Sequence, residues 1–278
     1  MSERQTPYFN SRRIARLRAY REYVGELAKR ERIAPEGEWI SIDSSLRSFA
    51  SEFSELISTP EEKNLALRNA YPGGYGRMLS NFLEKTIGKG SIGVELGGSG
   101  SKLFNDLRQM SLGLFEKTAG VTIVDYRDRL SSTQKDPDLI SRDAREFHSV
   151  IEGNVFSLSA RRRVKVWAGE RKVDLIISRM FGALEHVPRD PMLIARNVAA
   201  WYEMLSEKGV MLLQMPDFME SGQSYVENWV KVVDKNYPGL EVKYDKSSHI
   251  LIHNLPSAPK HLPLLAKTRG LKEIKRRL

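Results

Sequence analysis

The sequence has 278 residues, 41% hydrophobic and 28% charged, which is ordinary for a globular protein with a substantial core. It contains no cysteine, which excludes disulfide bonds, cysteine nucleophiles and thiolate metal sites. No apolar run approaches the roughly 18 residues that cross a bilayer, and the basic start lacks the apolar core of a secretory signal. We therefore expect a cytoplasmic protein that does not enter a membrane.

The net charge of +9 is concentrated at the two ends of the chain. Residues 1–32 carry a net charge of +5 and residues 260–278 carry +6, so the middle is slightly acidic. Basic ends of this kind either contact phosphates or an acidic partner, or are solvated termini. The sequence does not specify an oligomeric state.

The first part of the chain predicts helices. Apolar residues recur at helical spacing over 11–34 and again over 44–57. A third helix is expected to begin at Pro60, with Thr59 as its N-cap, because proline is favoured in the first turn. A short helix is expected at about 76–87.

A turn is predicted by the composition of YPGGYG (71–76), which precedes the short helix. Its two tyrosines, Tyr71 and Tyr75, have two interpretations. They are either part of a lid that stacks on a planar substrate, or part of a plain turn between helices.

From residue 91 onward, short apolar strands alternate with helices. The predicted strands are SIGVEL (91–96), VTIVDY (121–126), FHSVIEGN (147–154), VDLIISRM (173–180) and GVMLLQMP (209–216). The predicted helices are at about 100–112, 136–145, 190–206 and 221–236. This alternation indicates a parallel sheet covered on both faces. LEVKYD (240–245) and HILIHNL (249–255) are joined by three residues, which permits a hairpin but no parallel crossover, so an antiparallel strand should end the sheet.

Three of the predicted strands end in residues suited to a nucleotide-like ligand. Ligands of open α/β sheets bind outside the carboxyl ends of the strands. The first strand ends in a turn made by Glu95, Gly97, Gly98, Ser99 and Gly100. Glycines let the backbone approach a ligand closely, and the next helix presents free N–H groups. Asp125, at the end of the second strand, can accept both hydroxyls of a ribose, and Asn154, at the end of the third, can read an adenine edge.

The glycine-rich turn disfavours a nicotinamide cofactor. Such sites prefer G-x-G-x-x-G, whereas here Gly98-Ser99-Gly100 is followed by Ser101, Lys102 and Leu103, so the third glycine is missing.

These segments resemble, in order, the motifs of class I S-adenosylmethionine-dependent methyltransferases. VELGGSGS (94–101) resembles the first motif, VTIVDY the second, whose acid holds the cofactor ribose, and IEGNVF (151–156) the third. VDLIISRMFGALEHV (173–187) resembles the fourth strand with its turn, and EKGVMLLQMP (207–216) the fifth. The resemblance covers about 90–255. It implies a Rossmann-like seven-stranded α/β sheet, with six parallel strands and one antiparallel strand, preceded by an N-terminal helical cap.

The resemblance implies S-adenosylmethionine as the cofactor. The residues expected to bind it are Glu95, Gly97, Gly98, Ser99, Gly100, Asp125, Tyr126, Asn154, Val155, Ser178 and Arg179. Ser99 and Ser101 stand where the family usually has glycine. The expected organisation is a helical cap over 1–88, a cofactor-binding domain over 89–256 and a basic tail over 257–278.

The turn after the fourth strand bears on the methyl acceptor. It reads Ser178-Arg179-Met180-Phe181 where many amino methyltransferases carry [D/N]-P-P-[Y/F], which disfavours exocyclic base amines. ALEHV (183–187) resembles the turn of small-molecule methyltransferases. His186 is a candidate general base, and with Glu185 a candidate holder of a divalent ion; alternatively it packs beside the cofactor. Arg179 binds the cofactor carboxylate or an anionic substrate, or forms a structural ion pair.

The expected function is methylation of a small organic acceptor. One alternative is an RNA methyltransferase whose basic ends grip the backbone. Another is a non-catalytic binding protein built on the same fold. No metal is expected, because His148, His249, His253 and His261 lack metal-ligand spacing.

Overall fold

The three-dimensional structure is a computed structural model. It describes residues 46–67, 74–97, 101–122, 147–152, 155–179, 191–214, 219–220, 223–245 and 249–263. The helices predicted at 11–34 and 136–145 lie outside these residues.

A seven-stranded sheet forms the centre of the described part of the chain. Its strands are β1 (Ser91–Leu96), β2 (Phe115–Thr122), β3 (His148–Glu152), β4 (Val173–Arg179), β5 (Leu205–Gln214), β8 (Leu240–Tyr244) and β9 (His249–Asn254). Their order is β3-β2-β1-β4-β5-β9-β8. β9 pairs antiparallel with both β5 and β8, and all other pairs in this sheet are parallel. Six strands therefore run in one direction and β9 is reversed. The predicted Rossmann-like fold is confirmed. Two short strands, β6 (Met219–Glu220) and β7 (Gln223–Ser224), form a separate hairpin.

The strands agree with the predicted positions, except that two of them begin earlier than predicted. β1 has the predicted bounds, but β2 begins at Phe115 rather than at residue 121, and β5 begins at Leu205 rather than at 209. The missed residues, FEKTAG and LSEK, contain charged and small side chains that an apolar criterion overlooks. Pairing with β1 from Phe115 onward, and with β4 from Leu205 onward, makes them strands regardless.

Helices before the sheet are α1 (Leu46–Glu52), α2 (Ser54–Ile57), α3 (Pro60–Leu67) and α4 (Gly74–Thr86). The helix predicted at 44–57 is thus interrupted at Phe53, and the one predicted at 76–87 begins two residues earlier. Thr59 caps α3 as predicted: its hydroxyl accepts a hydrogen bond from the Glu62 N–H at 3.2 Å, and the Glu62 carboxylate accepts one from the Thr59 N–H at 3.0 Å. This is a capping box, which satisfies two otherwise unpaired amide donors.

The remaining helices connect the strands. They are α5 (Ser101–Met110), α6 (Leu158–Trp167), α7 (Pro191–Tyr202) and α8 (Tyr225–Asn236). The basic composition of α6 hid it from sequence analysis, yet Ser157 caps it and Ala160 and Val164 are buried. The basic residues after α6 lie at the amino end of the strands: Arg171 pairs with Glu116 at 2.5 Å, close to the start of β2.

Two hydrophobic cores cover opposite faces of the sheet. Alternate residues of β1 divide between them: Ile92, Val94 and Leu96 face the core formed with α6, α7 and α8. The other face packs against α1, α2, α4 and α5. The N-terminal helices therefore share one continuous core with the sheet.

The segment after β9 packs against the helices of the first core. The Tyr202 hydroxyl donates to the Pro259 carbonyl at 2.7 Å, and the Trp229 indole N–H donates to the Pro263 carbonyl at 2.8 Å. Burial raises the pKa of Tyr202 to about 12. Residues 257–263 thus belong structurally to the sheet domain. Within the described ranges, no helix combines the length and hydropathy needed to cross a bilayer.

We predict that Gly93→Ala destabilises the protein by about 1–3 kcal/mol, as expected for overpacking. A Cβ at Gly93 would lie 2.7 Å from the Phe104 ring and 3.1 Å from the Phe115 ring. Gly76→Ala is the control, because its Cβ would meet only the ends of the flexible Met110 and Leu46 side chains. Chemical denaturation of the three proteins measures the difference, and equal stability of both variants would contradict the packing argument.

Candidate functional site

The glycine-rich turn begins where the central strand ends. Gly97 follows β1 with φ at +88°, a conformation that favours glycine, and a Cβ there would meet no atom within 4 Å. Its N–H donates to the Val121 carbonyl at 2.9 Å, so the start of the turn is fixed to β2. The Glu95 side chain, two residues earlier, is buried. Gly97 thus lets the backbone turn away from the sheet at the carboxyl end of β1.

The sheet order reverses between β1 and β4, and Ser178 lies at this switch point. Leu96 of β1 pairs with Ser178 of β4. The Ser178 hydroxyl is buried and has no hydrogen-bond partner within the described part of the chain. Buried hydroxyls are usually paired, so one left unpaired at a strand end suits a ligand that supplies the partner. This strand end therefore offers one buried hydroxyl beside the start of the glycine-rich turn.

Trp201 forms a hydrogen bond to the backbone of Val155, three residues after the end of β3. Its indole N–H, on α7, donates to the Val155 carbonyl at 2.8 Å in a fully buried contact. Val155 is one of the predicted cofactor residues and follows Asn154 directly. Trp201 is fully buried, and no local sequence pattern reveals its contact with Val155.

Many predicted site residues lie outside the described residues. They are Tyr71, Gly98, Ser99, Gly100, Asp125, Tyr126, Asn154, Glu185 and His186. For Arg179 the structure describes the backbone alone. The basic ends that an RNA partner would need also lie outside it, except for residues 260–263.

Tyr75, the other predicted lid residue, lies in the first turn of α4 and packs against the second core. The neighbouring Arg77 donates to the Met110 carbonyl at 2.5 Å, at the last residue of α5. α5 begins just after the glycine-rich turn and ends at Met110. The start of α4 therefore lies beside the end of α5 that is farther from this turn.

A polar cluster that sequence analysis missed lies at the same edge of the sheet. Its members are Glu52 at the end of α1, Gln214 at the end of β5, His249 at the start of β9, and Asp245. The Gln214 amide donates to the Glu52 carboxylate. His249 Nδ1 lies 2.7 Å from Asp245 Oδ2, and its Nε2 lies 3.7 Å from Glu52 Oε2. We call these four residues the edge cluster.

The edge cluster favours a protonated His249. Burial alone would lower the pKa of His249, but the interactions with Glu52 and with Asp245 outweigh it, so the pKa is raised above its ordinary value. The Asp245 carboxylate also accepts the His249 N–H at 3.1 Å, which orients the residue. The Phe53 ring packs edge-on against the imidazole with centroids 5.0 Å apart. The imidazole therefore lies between two carboxylates, which favour its protonated form.

Comparison with solved structures finds methyltransferases at low identity. A Plasmodium falciparum protein assigned as a ribosomal RNA methyltransferase is 12% identical over 64% of this chain and 94% of that chain, with a TM-score of 0.40. The sugar N-methyltransferase KedS8 from Streptoalloteichus is 11% identical over 63% and 85% of the two chains, with a TM-score of 0.37. A TehB-like SAM-dependent methyltransferase from Corynebacterium glutamicum is 14% identical over 74% and 96%, with a TM-score of 0.35.

No protein-family model matches the sequence, and no curated protein matches it. At such identities and scores, the fold assignment depends on the strand order and directions described above.

We predict that His249 makes the stability of the protein depend on pH. Because the folded-state pKa is raised, the contribution of His249 is full below the unfolded pKa of about 6.5 and is lost as pH rises through the folded value. The difference in melting temperature between wild type and His249→Gln should therefore be largest near about pH 5.5 and shrink toward about pH 9.

His261→Gln is the control for this measurement, since His261 is largely exposed beside Glu203. Its melting temperature should follow that of wild type at every pH. A constant difference between wild type and His249→Gln across the range would show that His249 contributes packing and no charge.

Proposed function

We propose that this protein is an S-adenosylmethionine-dependent methyltransferase that acts on a small organic acceptor. The observation that carries the proposal is the glycine-rich turn at the carboxyl end of the central strand, at the switch point of a sheet with six parallel strands and one reversed strand. VELGGSGS, at this position, resembles the first methyltransferase motif. Ligands of open α/β sheets bind at this point.

The cofactor would be held by residues from the ends of four strands. Gly97 and the glycines after it would leave room for the backbone to approach the ligand, and Asp125 would accept the ribose hydroxyls. Asn154 and Val155 would border the adenine, and the buried Ser178 hydroxyl would gain a partner. When bound, S-adenosylmethionine supplies a methyl group activated by a positively charged sulfur.

Methyl transfer demands mainly that the protein positions the acceptor and takes up a proton where the acceptor loses one. His186 is the candidate for that proton, with Glu185 beside it in the sequence, and Arg179 would bind the cofactor carboxylate. Support for a small acceptor is the ALEHV turn and the absence of the base-amine motif at 178–181. The alternatives are an RNA acceptor and a binding protein without catalysis.

The direct test is calorimetric binding of S-adenosylmethionine to wild type and to Asp125→Ala. We expect wild type to bind and the variant to lose about 1–3 kcal/mol, because a charged hydrogen-bond acceptor for the ribose is removed. That loss corresponds to roughly 5- to 150-fold in affinity.

Asp234→Ala is the matched control, because Asp234 is exposed on α8. It should bind as wild type does. Absence of binding to folded wild type would refute the enzyme proposal, and unchanged affinity in Asp125→Ala would mean that another residue holds the ribose.

A second prediction compares two tryptophans. Trp201→Phe and Trp229→Phe each leave a buried carbonyl without its indole donor, so each should destabilise the protein by about 1–3 kcal/mol. Only Trp201→Phe should also weaken cofactor binding, because its partner Val155 borders the proposed adenine site. Denaturation and calorimetry together measure both effects, and equal cofactor affinity of the two variants would contradict the role given to Val155.

A further inference from the structure

The edge cluster and the glycine-rich turn share one edge of the sheet. Along that edge, Leu96 pairs with Ser178 and Ser178 with Leu213; one residue further on, Arg179 pairs with Gln214 and Gln214 with His249. Gly97, one residue past Leu96, is therefore level with Gln214. Two strand spacings separate them, which is about 10 Å.

The cluster also lies on the same face of the sheet as Glu95. Side chains alternate between faces along a strand, and the faces are identified by the two cores. Leu212 faces the second core, and so does Gln214, two residues later. Glu95 alternates with Val94 and Leu96, which face the first core. The edge cluster and Glu95 therefore border the same side of the carboxyl edge.

Glu52 is held in place and yet accessible. The Gln214 amide donates to its carboxylate, and His249 lies behind it, fixed in turn by the buried Asp245. Nevertheless, 37% of the Glu52 side chain is exposed, against 9% for His249 and 3% for Asp245. Of these ionisable groups, Glu52 is the one that a ligand can reach.

We infer that the Glu52 carboxylate is the acceptor-binding group of this edge, and that it receives the N–H or O–H of an amine or hydroxyl nucleophile. This inference rests on the proposed function. Asp125 and Asn154 follow β2 and β3 in the sequence, and under the proposed function they would hold the adenosine there. The reactive end of the cofactor would then face β4 and β5, where Gln214 and Glu52 lie. Gln214, His249 and Asp245 are positioning residues for the carboxylate.

The charge of the cluster supports this ligand class. Glu52 is the exposed carboxylate of the cluster, and a carboxylate attracts a hydrogen-bond donor or a cation. An acceptor whose nucleophile is itself an anion would be repelled. A carbon nucleophile would offer the Glu52 carboxylate no N–H or O–H donor of its own.

Sinefungin is a suitable probe, because an amine-bearing carbon replaces the sulfur and its methyl group. Its amine thus occupies the place of the methyl that faces the acceptor. Calorimetry should compare sinefungin with S-adenosylhomocysteine, which lacks any group at that place. We expect sinefungin to bind wild type at least tenfold more tightly, and Glu52→Gln to reduce this ratio about tenfold while changing the affinity for S-adenosylhomocysteine less than about twofold.

Glu55→Gln is the matched control, since Glu55 is exposed on α2 and pairs with Lys63. It should keep the wild-type ratio. Glu52→Asp keeps the charge but shortens the side chain by one methylene. It should lower the ratio of the affinities for sinefungin and S-adenosylhomocysteine about threefold. It is the decisive variant if Glu52→Gln does not fold.

The outcomes separate this inference from the proposed function. If neither ligand binds wild type, the proposed function fails and this inference fails with it. If both bind and the ratio is unchanged in the Glu52 variants, only the inference is overturned. If the variants weaken both ligands equally, Glu52 supports the cofactor pocket rather than the acceptor, which also overturns it.

Discussion

The central position of β1 is the constraint on which the rest of the structure depends. The strand is hydrogen-bonded to β2 on one side and to β4 on the other, and all six of its residues are buried. It has no free edge and no solvent-exposed face, so the position at which it ends is fixed by the whole domain. Gly97 leaves the sheet at that point, so the place where the glycine-rich turn begins is a property of the fold.

The single reversed strand has a specific consequence for the edge cluster. In a parallel strand the last residue lies at the carboxyl edge, whereas in β9 the first residue does. His249 therefore lies beside Gln214, while Asn254, at the other end of β9, pairs with Leu240 of β8. The tight connection back from β8 also places Asp245 directly behind the imidazole. Without the reversal, a histidine at this point of the sequence would lie at the opposite edge of the sheet.

Local patterns made most of the fold predictable. SIGVEL was found with its correct bounds because it is a short, mainly apolar run that ends in glycines, and the reversed strand followed from a connection of three residues. The start of β2 and the helix α6 were missed for a common reason. In both, pairing or packing in three dimensions determines the structure, while FEKTAG and ARRRVKVW are polar in composition. Local composition does not reveal a pairing or packing partner that is distant in the chain.

The edge cluster could not be predicted for the same reason, because its members lie far apart in the sequence. Gln214 and Glu52 are 162 residues apart in the sequence. The sequence places Glu52 within a helix predicted over 44–57 and Gln214 within a strand predicted over 209–216, whereas the structure ends these elements at Glu52 and Gln214. Only the register β4–β5–β9, with α1 packed on the same face, brings the two side chains together.

The distribution of charge relates these local features to the choice of acceptor. The basic excess of the chain lies in its two ends, whereas Glu52 is an exposed carboxylate at the carboxyl edge, with His249 and the buried Asp245 behind it. A phosphate group that approached Glu52 would be repelled by this carboxylate. A small acceptor with an amine or hydroxyl meets the opposite situation, because its donor hydrogen is attracted there. The Glu52 carboxylate thus agrees with the small acceptor of the proposed function.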